Sequence, residues 1–210
     1  MRRFLTTLCV TMAAASLAAC NIVVTESPMF SAADAAGAPV LKPGLWGMLD
    51  GPCEADLSGP VEAWPECAEG VTITATAMKG KNKKGEEESL DYILASGAPR
   101  VMQIGLAEPD SKVTLYFYTG VEPLSSDGQG RITAFTGWIV QCGPPPPKDA
   151  KRADGQPRTV TLQPVEGMSI DPQETMCMPA DKDTVRRAAA ASKGYEVDKG
   201  SKAVWVREKP

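Results

Sequence analysis

The cysteines and carboxylates are the side chains of this sequence that could serve catalysis, crosslinking or covalent attachment. The chain contains six cysteines, 26 acidic residues and no histidine. Without histidine, Ser-His-Asp and Cys-His nucleophile pairs are excluded, and so is every histidine-ligated metal site. The carboxylates remain candidates for acid–base chemistry, and the cysteines remain candidates for disulfides, lipid attachment or reactive thiols.

Two groups of carboxylates lie close together in the sequence. Asp50, Glu54 and Asp56 form the first group, and Asp181 and Asp183 form the second. Neither has the additional ligands and closing glutamate of a calcium loop, and the second is explained by the capping of a helix. No glycine-rich phosphate loop or nucleophile elbow occurs either. We therefore predict that the protein is not an enzyme, with no cofactor and no metal site; an enzyme that uses carboxylates is the minor alternative.

The N-terminal residues have the layout of an export signal. Arg2 and Arg3 are followed by a mostly apolar run over Phe4–Ala19. This run is shorter than the roughly 20 residues that a membrane-spanning helix needs, and small residues end it. We therefore expect residues 1–19 to be a cleaved signal peptide.

A cysteine stands at the expected cleavage site. Leu17-Ala18-Ala19-Cys20 resembles the lipobox of bacterial lipoproteins. The resemblance implies that the Cys20 thiol receives a diacylglyceryl group and that its new amine is usually acylated. Two or three acyl chains hold a protein firmly on a membrane, whereas a single chain binds marginally. The alternative is a plain secretory signal in which Cys20 occurs by chance.

The lipobox resemblance also implies a location. In lipoproteins of Gram-negative cells, aspartate after the cysteine favours retention in the inner membrane, and this chain has Asn21. We therefore expect a protein of the cell envelope, anchored through its N-terminal lipid to the outer membrane and facing the periplasm.

Composition limits the partners and the number of domains. The 210 residues carry a formal net charge of −4, and removal of Arg2 and Arg3 with the signal lowers it to −6. An acidic chain without a basic stripe is a poor ligand for nucleic acid. The length after cleavage supports one domain with a hydrophobic core. A protein or small-ligand partner is compatible with this composition but is not specified by it.

The remaining cysteines are expected to form disulfides. Cys53, Cys67, Cys142 and Cys177 are even in number, would lie in an oxidising compartment and form no Cys-x-x-Cys motif. Three pairings are possible, and the sequence alone does not choose among them. Loop length favours Cys53–Cys67 and Cys142–Cys177, which would each contribute about 3 to 4 kcal/mol in the chain-entropy model.

Alternating apolar and polar residues predict a mainly β (α+β) domain over residues 41–210. The pattern favours an antiparallel sandwich or barrel of about eight strands with one C-terminal helix near 182–193. The strand candidates include "VTITATAM" (71–78), "RVMQIGLA" (100–107), "KVTLYFYT" (112–119), "RITAFTGWIVQC" (131–142), "RTVTLQ" (158–163) and "AVWVRE" (203–208). Asp181 or Asp183 is expected to cap the helix, and Gly194 is expected to end it. Turns between strands are predicted at 125–130, from its Asp-Gly pair, and at 107–111, from its Pro and Asp.

Three polar or small-residue segments are expected to lie outside regular structure. Residues 20–40 are rich in Ala, Ser, Pro and Gly and predict a flexible tether between the lipid and the domain. The charged run at 79–88 predicts a solvated loop, with binding to an anionic envelope polymer as the alternative. The proline-rich stretch at 143–158 predicts an exposed connection, with a polyproline recognition segment as the alternative.

Two tryptophans stand in the Pro/Gly-rich region around the first cysteine pair. Trp46 and Trp64 are expected to pack in the core, with an exposed binding surface as the alternative. Gly44-Leu45-Trp46 is similar to the Gly-x-Trp motif in the first strand of lipocalins, which are eight-stranded barrels with a C-terminal helix. That resemblance implies an apolar ligand inside the barrel, with Trp46 closing its base.

Together these observations predict a lipid-anchored envelope lipoprotein with a non-catalytic binding or structural β domain. The alternative is a lipocalin-like carrier of a small apolar ligand.

Overall fold

Eight antiparallel strands close into a barrel, and three short strands lie outside it. The computed structural model describes residues 21–81, 85–107, 113–172, 176–196 and 201–208. The strands are β1 (Val24–Thr25), β2 (Gly44–Leu49), β3 (Ala68–Ile73), β4 (Ala77–Lys81), β5 (Glu87–Ala95), β6 (Arg100–Ala107), β7 (Thr114–Ser126), β8 (Ile132–Ile139), β9 (Met168–Ile170), β10 (Cys177–Pro179) and β11 (Ser201–Arg207). The helices are α1 (Ala32–Ala35), a single 3-10 turn (Val61–Ala63) and α2 (Lys182–Glu196).

The barrel is a meander closed by the last strand of the chain. Strands β2 to β8 each pair with the next one in sequence, and β11 lies between β8 and β2. All of these pairs are antiparallel, so each turn connects neighbouring strands at one end of the barrel. The predicted mainly β fold with about eight strands and a late helix is confirmed, and the barrel is the correct alternative. The helix precedes the eighth barrel strand.

The barrel interior is one hydrophobic core. Inward-facing side chains from all eight barrel strands and from Leu41 contribute to it, as the period of two along each strand requires. The Trp46 ring is fully buried there and lies 5.6 Å from the Phe135 ring, centroid to centroid. The buried members are Leu41, Trp46, Val71, Ile73, Met78, Leu90, Tyr92, Leu94, Met102, Ile104, Val121, Ile132, Phe135 and Ala203.

A second core lies between the outer face of the barrel wall and the segments that cover it. Helix α2 contributes a narrow face of Val185, Ala188 and Ala189, all fully buried. The remaining buried members are Val23, Phe30, Ala95, Val101, Tyr118, Val140, Cys142, Val160, Met168 and Cys177. Since β5, β6 and β7 contribute to both cores, their strands are apolar on both faces, whereas a strand with one solvated face alternates.

Several local predictions are confirmed. Asp181 caps α2, since its Oδ1 accepts hydrogen bonds from the Thr184 amide at 2.7 Å and from the Thr184 hydroxyl at 2.8 Å. The turn predicted at 125–130 joins β7 to β8 through Asp127, whose carboxylate accepts from the Gln129 and Arg131 amides. The turn predicted at 107–111 falls mostly outside the described residues.

The segment 71–78 forms two strands, and the prediction of one continuous strand was wrong. Strand β3 ends at Ile73, and β4 begins at Ala77. The Thr74 hydroxyl donates to the Ala77 carbonyl and accepts from the Ala77 amide, both at 3.0 Å. Such side-chain to backbone bonds compete with strand pairing and form a turn. The charged run that follows also differs from the prediction, because its ends belong to β4 and β5; residues 82–84 lie outside the described part.

Residues 158–163 do not form the predicted strand. Val160 and Thr161 are both buried while Leu162 is exposed, so the alternation in sequence does not correspond to two faces. The Thr161 amide donates to the Asn21 side chain instead of to a strand neighbour. Helix α2 also continues to Glu196, beyond the predicted stop at Gly194.

The described residues of the predicted flexible tether, 21–40, are packed against the barrel, so that prediction was wrong. Val23 and Phe30 are buried in the second core, and the Val23 amide donates to the Val140 carbonyl at 2.9 Å. The Gln103 Oε1 accepts from the Met29 and Phe30 amides. A few well-placed apolar and amide groups therefore order a segment whose average composition is that of a linker, and the domain includes residues from 21 onwards.

Within the described residues, no helix is both long enough and apolar enough to cross a membrane.

Candidate functional site

Both disulfides form with the pairing that loop length favoured. Cys53–Cys67 closes a loop of 14 residues, and Cys142–Cys177 closes one of 35. Cys142 and Cys177 are fully buried in the second core, where they join the end of β8 to β10. These four cysteines therefore crosslink the fold, and none of them is a free thiol available as a nucleophile.

The first disulfide stabilises a loop that lies on the outside of the barrel. Gly47 of β2 and Gly70 of β3 are directly paired across the sheet. A Cβ atom at Gly47 would overlap Leu57, and one at Gly70 would lie 2.6 Å from Val61. The two glycines thus leave a shallow surface on the barrel wall that the loop covers with Leu57 and Val61.

Trp46 and Trp64 are both buried and present no ring to solvent. Trp46 is 0% exposed inside the barrel, and its Nε1 donates to the Lys42 carbonyl at 2.8 Å. Trp64, within the loop that the first disulfide closes, is 9% exposed, and its Nε1 donates to the Gly59 carbonyl at 3.2 Å. The exposed-tryptophan alternative therefore has no support in the structure, and both residues pack as structural members of the fold.

Two of the five carboxylates that sequence reasoning considered, Asp56 and Asp181, accept hydrogen bonds from local partners. The Ser58 amide and hydroxyl lower the pKa of Asp56, and the Thr184 amide and hydroxyl lower the pKa of Asp181. A general acid at neutral pH needs a raised pKa, so these shifts are opposite to that requirement. Among the described residues, no group of three or more Cys, Asp or Glu side chains is arranged to hold a metal.

Asn21 is a buried polar residue that sequence reasoning assigned to the tether. Its Nδ2 donates to the Gln141 Oε1 at 3.0 Å and to the Gly143 carbonyl at 2.7 Å. Its Oδ1 accepts from the Thr161 amide at 2.8 Å. Three segments distant in sequence are thereby joined at the first described residue. An isolated asparagine after Cys20 gives no sequence signal for this role.

A groove lies between α2 and the barrel wall, and sequence reasoning missed it as well. Its volume is about 340 Å³. The lining comes from the β5–β6 turn, the middle of β7, Trp138 and the second half of α2: Gly97, Ala98, Pro99, Arg100, Val121, Glu122, Pro123, Trp138, Ala190 and Lys193. Because these residues belong to four separate parts of the chain, no local motif could have revealed the groove.

The groove combines apolar and charged side chains above the buried ring of Trp138. The Trp138 ring is held by its Nε1, which donates to the Ala189 carbonyl at 2.8 Å. The Lys193 Nζ lies 2.7 Å from a Glu122 carboxylate oxygen and 5.8 Å from the centre of the Trp138 ring. The buried Nε of Arg100 has no hydrogen-bond partner among the described residues. The arrangement suits contact with a partially apolar group that carries a hydrogen-bond acceptor or a negative charge.

Comparison with known protein families, with curated proteins and with solved structures finds no significant match to this chain. Function must therefore be inferred from its own residues and geometry.

Proposed function

We propose that this protein is a lipid-anchored lipoprotein of the cell envelope whose barrel domain is non-catalytic and acts through its outer surface. The signal-like N-terminus and the lipobox at Leu17-Ala18-Ala19-Cys20 support the anchor. The absence of histidine from the sequence and the local hydrogen bonds of Asp56 and Asp181 support a non-catalytic role. Asn21 in place of aspartate supports the periplasmic face of the outer membrane as its location.

The packing of the barrel interior is the observation that favours surface action over ligand carriage. A carrier barrel needs an internal cavity of a few hundred Å³ to enclose a ligand. Here the side chains of Trp46, Phe135 and Tyr92 occupy the interior together with aliphatic groups from the surrounding strands. The Tyr92 hydroxyl donates to the Thr74 carbonyl at 2.9 Å, so its polar atom is satisfied by the protein itself.

The groove beside α2 is the surface that we assign to a partner. Ala98, Pro99 and Pro123 supply exposed or partly exposed apolar lining. Arg100 and Lys193 supply cationic side chains. A protein segment or small molecule with an acidic group fits this chemistry.

The anchor is tested by metabolic labelling with palmitate in a Gram-negative host. Cys20→Ser should abolish labelling and leave an unprocessed precursor or a released soluble form. Cys9→Ser is the matched control, because it removes a cysteine from the apolar run without changing the lipobox, and it should remain labelled. Persistent labelling and membrane fractionation of the Cys20→Ser protein would show that the lipobox interpretation is wrong.

A lipocalin-like carrier is the second candidate, favoured by the closed eight-stranded barrel and by Trp46 inside it. Titration of the Cys20→Ser protein with a fluorescent fatty acid distinguishes the two candidates. Surface action predicts no saturable binding in the barrel. Stoichiometric binding that quenches tryptophan fluorescence, and that is lost in Val121→Trp through filling of the interior, would support the carrier instead.

A further inference from the structure

The fold leaves almost no free chain between the proposed lipid and the barrel. Asn21 is 8% exposed and hydrogen-bonded on three sides, so a lipid on residue 20 would be joined to the folded domain through a single peptide bond. A fully extended residue spans at most about 3.6 Å. The surface around Asn21 would therefore have to lie within a few ångströms of the bilayer.

Exposed apolar side chains are found around this point of the fold. Leu162 is 56% exposed and follows Thr161, whose amide donates to Asn21. Met176 and Met178 are each 43% exposed and flank Cys177. The backbone of Cys177 pairs with that of Val23 in an isolated β-bridge. We name Leu162, Met176 and Met178 the anchor-side patch. Each of the three is adjacent in sequence to a residue that contacts Asn21 or Val23, and exposed apolar groups near one attachment point are suited to contact with lipid.

The segment that begins beside Asn21 carries positive charge. Residues 143–158 begin at Gly143, which accepts a hydrogen bond from Asn21, and contain four basic and two acidic side chains. Lys148 and Lys151 are exposed. A locally basic segment on an otherwise acidic chain is complementary to a surface of anionic lipid.

We propose that the anchor-side patch is a membrane seat, which holds the barrel in a fixed orientation against the bilayer next to its lipid. This inference rests on the proposed lipidation of Cys20. The occupant is the phospholipid surface itself, because the residue that would carry the acyl groups directly precedes Asn21 in the sequence. Apolar side chains of peripheral proteins enter the interface by about 5 to 10 Å, which suits three exposed side chains around one attachment point. The opposite end of the barrel would then face away from the membrane.

The test uses single cysteines in the mature, lipidated protein, labelled with an environment-sensitive fluorophore. Leu162→Cys and Met178→Cys report on the seat. Leu124→Cys is the matched control, since Leu124 is 51% exposed but lies seven residues beyond Phe117, the β7 partner of Val24. At about 3.3 Å per residue, this separation is roughly 23 Å along the strand. The protein is reconstituted in vesicles of phosphatidylethanolamine and phosphatidylglycerol, with and without spin-labelled lipid as a quencher.

The membrane seat predicts that both seat labels shift their emission to the blue and are quenched severalfold more than the label at position 124. The charge-reversed double variant Lys148→Glu with Lys151→Glu should reduce this quenching while the protein remains in the vesicle fraction. Equal exposure of all three labels in a protein that is lipidated and vesicle-bound would overturn the seat and leave the anchor intact.

Two further outcomes would also overturn the seat. If palmitate labelling is absent, the anchor itself fails and the seat loses its basis. If the seat labels are equally shielded in the soluble Cys20→Ser protein without vesicles, a protein contact covers the patch instead of lipid.

Discussion

Replacement of Asn21 by alanine should destabilise the whole domain, although the residue lies in a segment with the composition of a linker. The change removes the two bonds that Nδ2 donates, to Gln141 and Gly143, and the bond that Oδ1 accepts from the Thr161 amide. Each hydrogen bond contributes a net of about 0.5 to 1.5 kcal/mol, and a buried group left without a partner costs about 1 to 3 kcal/mol. Thr161 is fully buried, so its amide would lose its partner away from bulk water. We therefore expect a loss of about 3 kcal/mol.

The measurement is guanidinium unfolding followed by tryptophan fluorescence, with Cys20→Ser in every variant and the disulfides intact. A loss of this size should lower the unfolding midpoint without changing the slope, and it corresponds to a fall in Tm of roughly 6 to 12 °C for a domain of this size. Gln163→Ala is the matched control, because it removes an exposed amide side chain two residues from Thr161. That variant should stay within about 0.5 kcal/mol of the parent.

Equal stability of Asn21→Ala and Gln163→Ala would refute the reasoning, since the buried network would then contribute nothing to the folded state. The result also matters for experiments that substitute Asn21 to change the membrane in which the protein is located. Asn21→Asp keeps an acceptor for Thr161 but places a carboxylate against the Gly143 carbonyl, so it should destabilise the domain too. A change in membrane location caused by that variant must therefore be separated from a change in folding.

Two further predictions concern packing and pH. Gly120→Ala should lower the free energy of unfolding by about 1 to 3 kcal/mol, because its Cβ would overlap the Trp138 indole. Gly128 has open space around it, so Gly128→Ala should be nearly neutral. Thermal unfolding of the two variants measures the difference. The Lys182 ammonium and the Ser31 amide lower the pKa of Asp34 to about 2, so the stabilisation from this carboxylate is present above about pH 4 and is lost as the pH falls towards 2. Lys182→Met should make the decline of Tm over that pH range less steep, and the effect should be small because Lys182 is half exposed. An unchanged decline of Tm between about pH 4 and pH 2 would contradict the role of this ion pair.

Local patterns were sufficient for the features that depend on neighbouring residues. The turn at Asp127 and the cap at Asp181 each depend on side chains within a few positions of one another. Loop length favoured the disulfide pairing that forms, although the sequence alone left three pairings open. Such signals identify secondary-structure elements and candidate disulfides, and they predict a β-rich domain of about eight strands.

The closure of the barrel, the burial of the N-terminal segment and the groove beside α2 were decided only by the tertiary structure. β11 inserts between β8 and β2, Asn21 contacts residues more than 100 positions away, and the groove is lined by four distant parts of the chain. These contacts join groups that are far apart in sequence, and only the complete fold brings them within reach of each other. A hydrogen bond or an apolar contact can form at any separation in sequence, so local patterns do not reveal which distant groups will pair. Asn21 shows the difference most clearly: its sequence context is a polar linker, and only the positions of Gln141, Gly143 and Thr161 make it a structural residue.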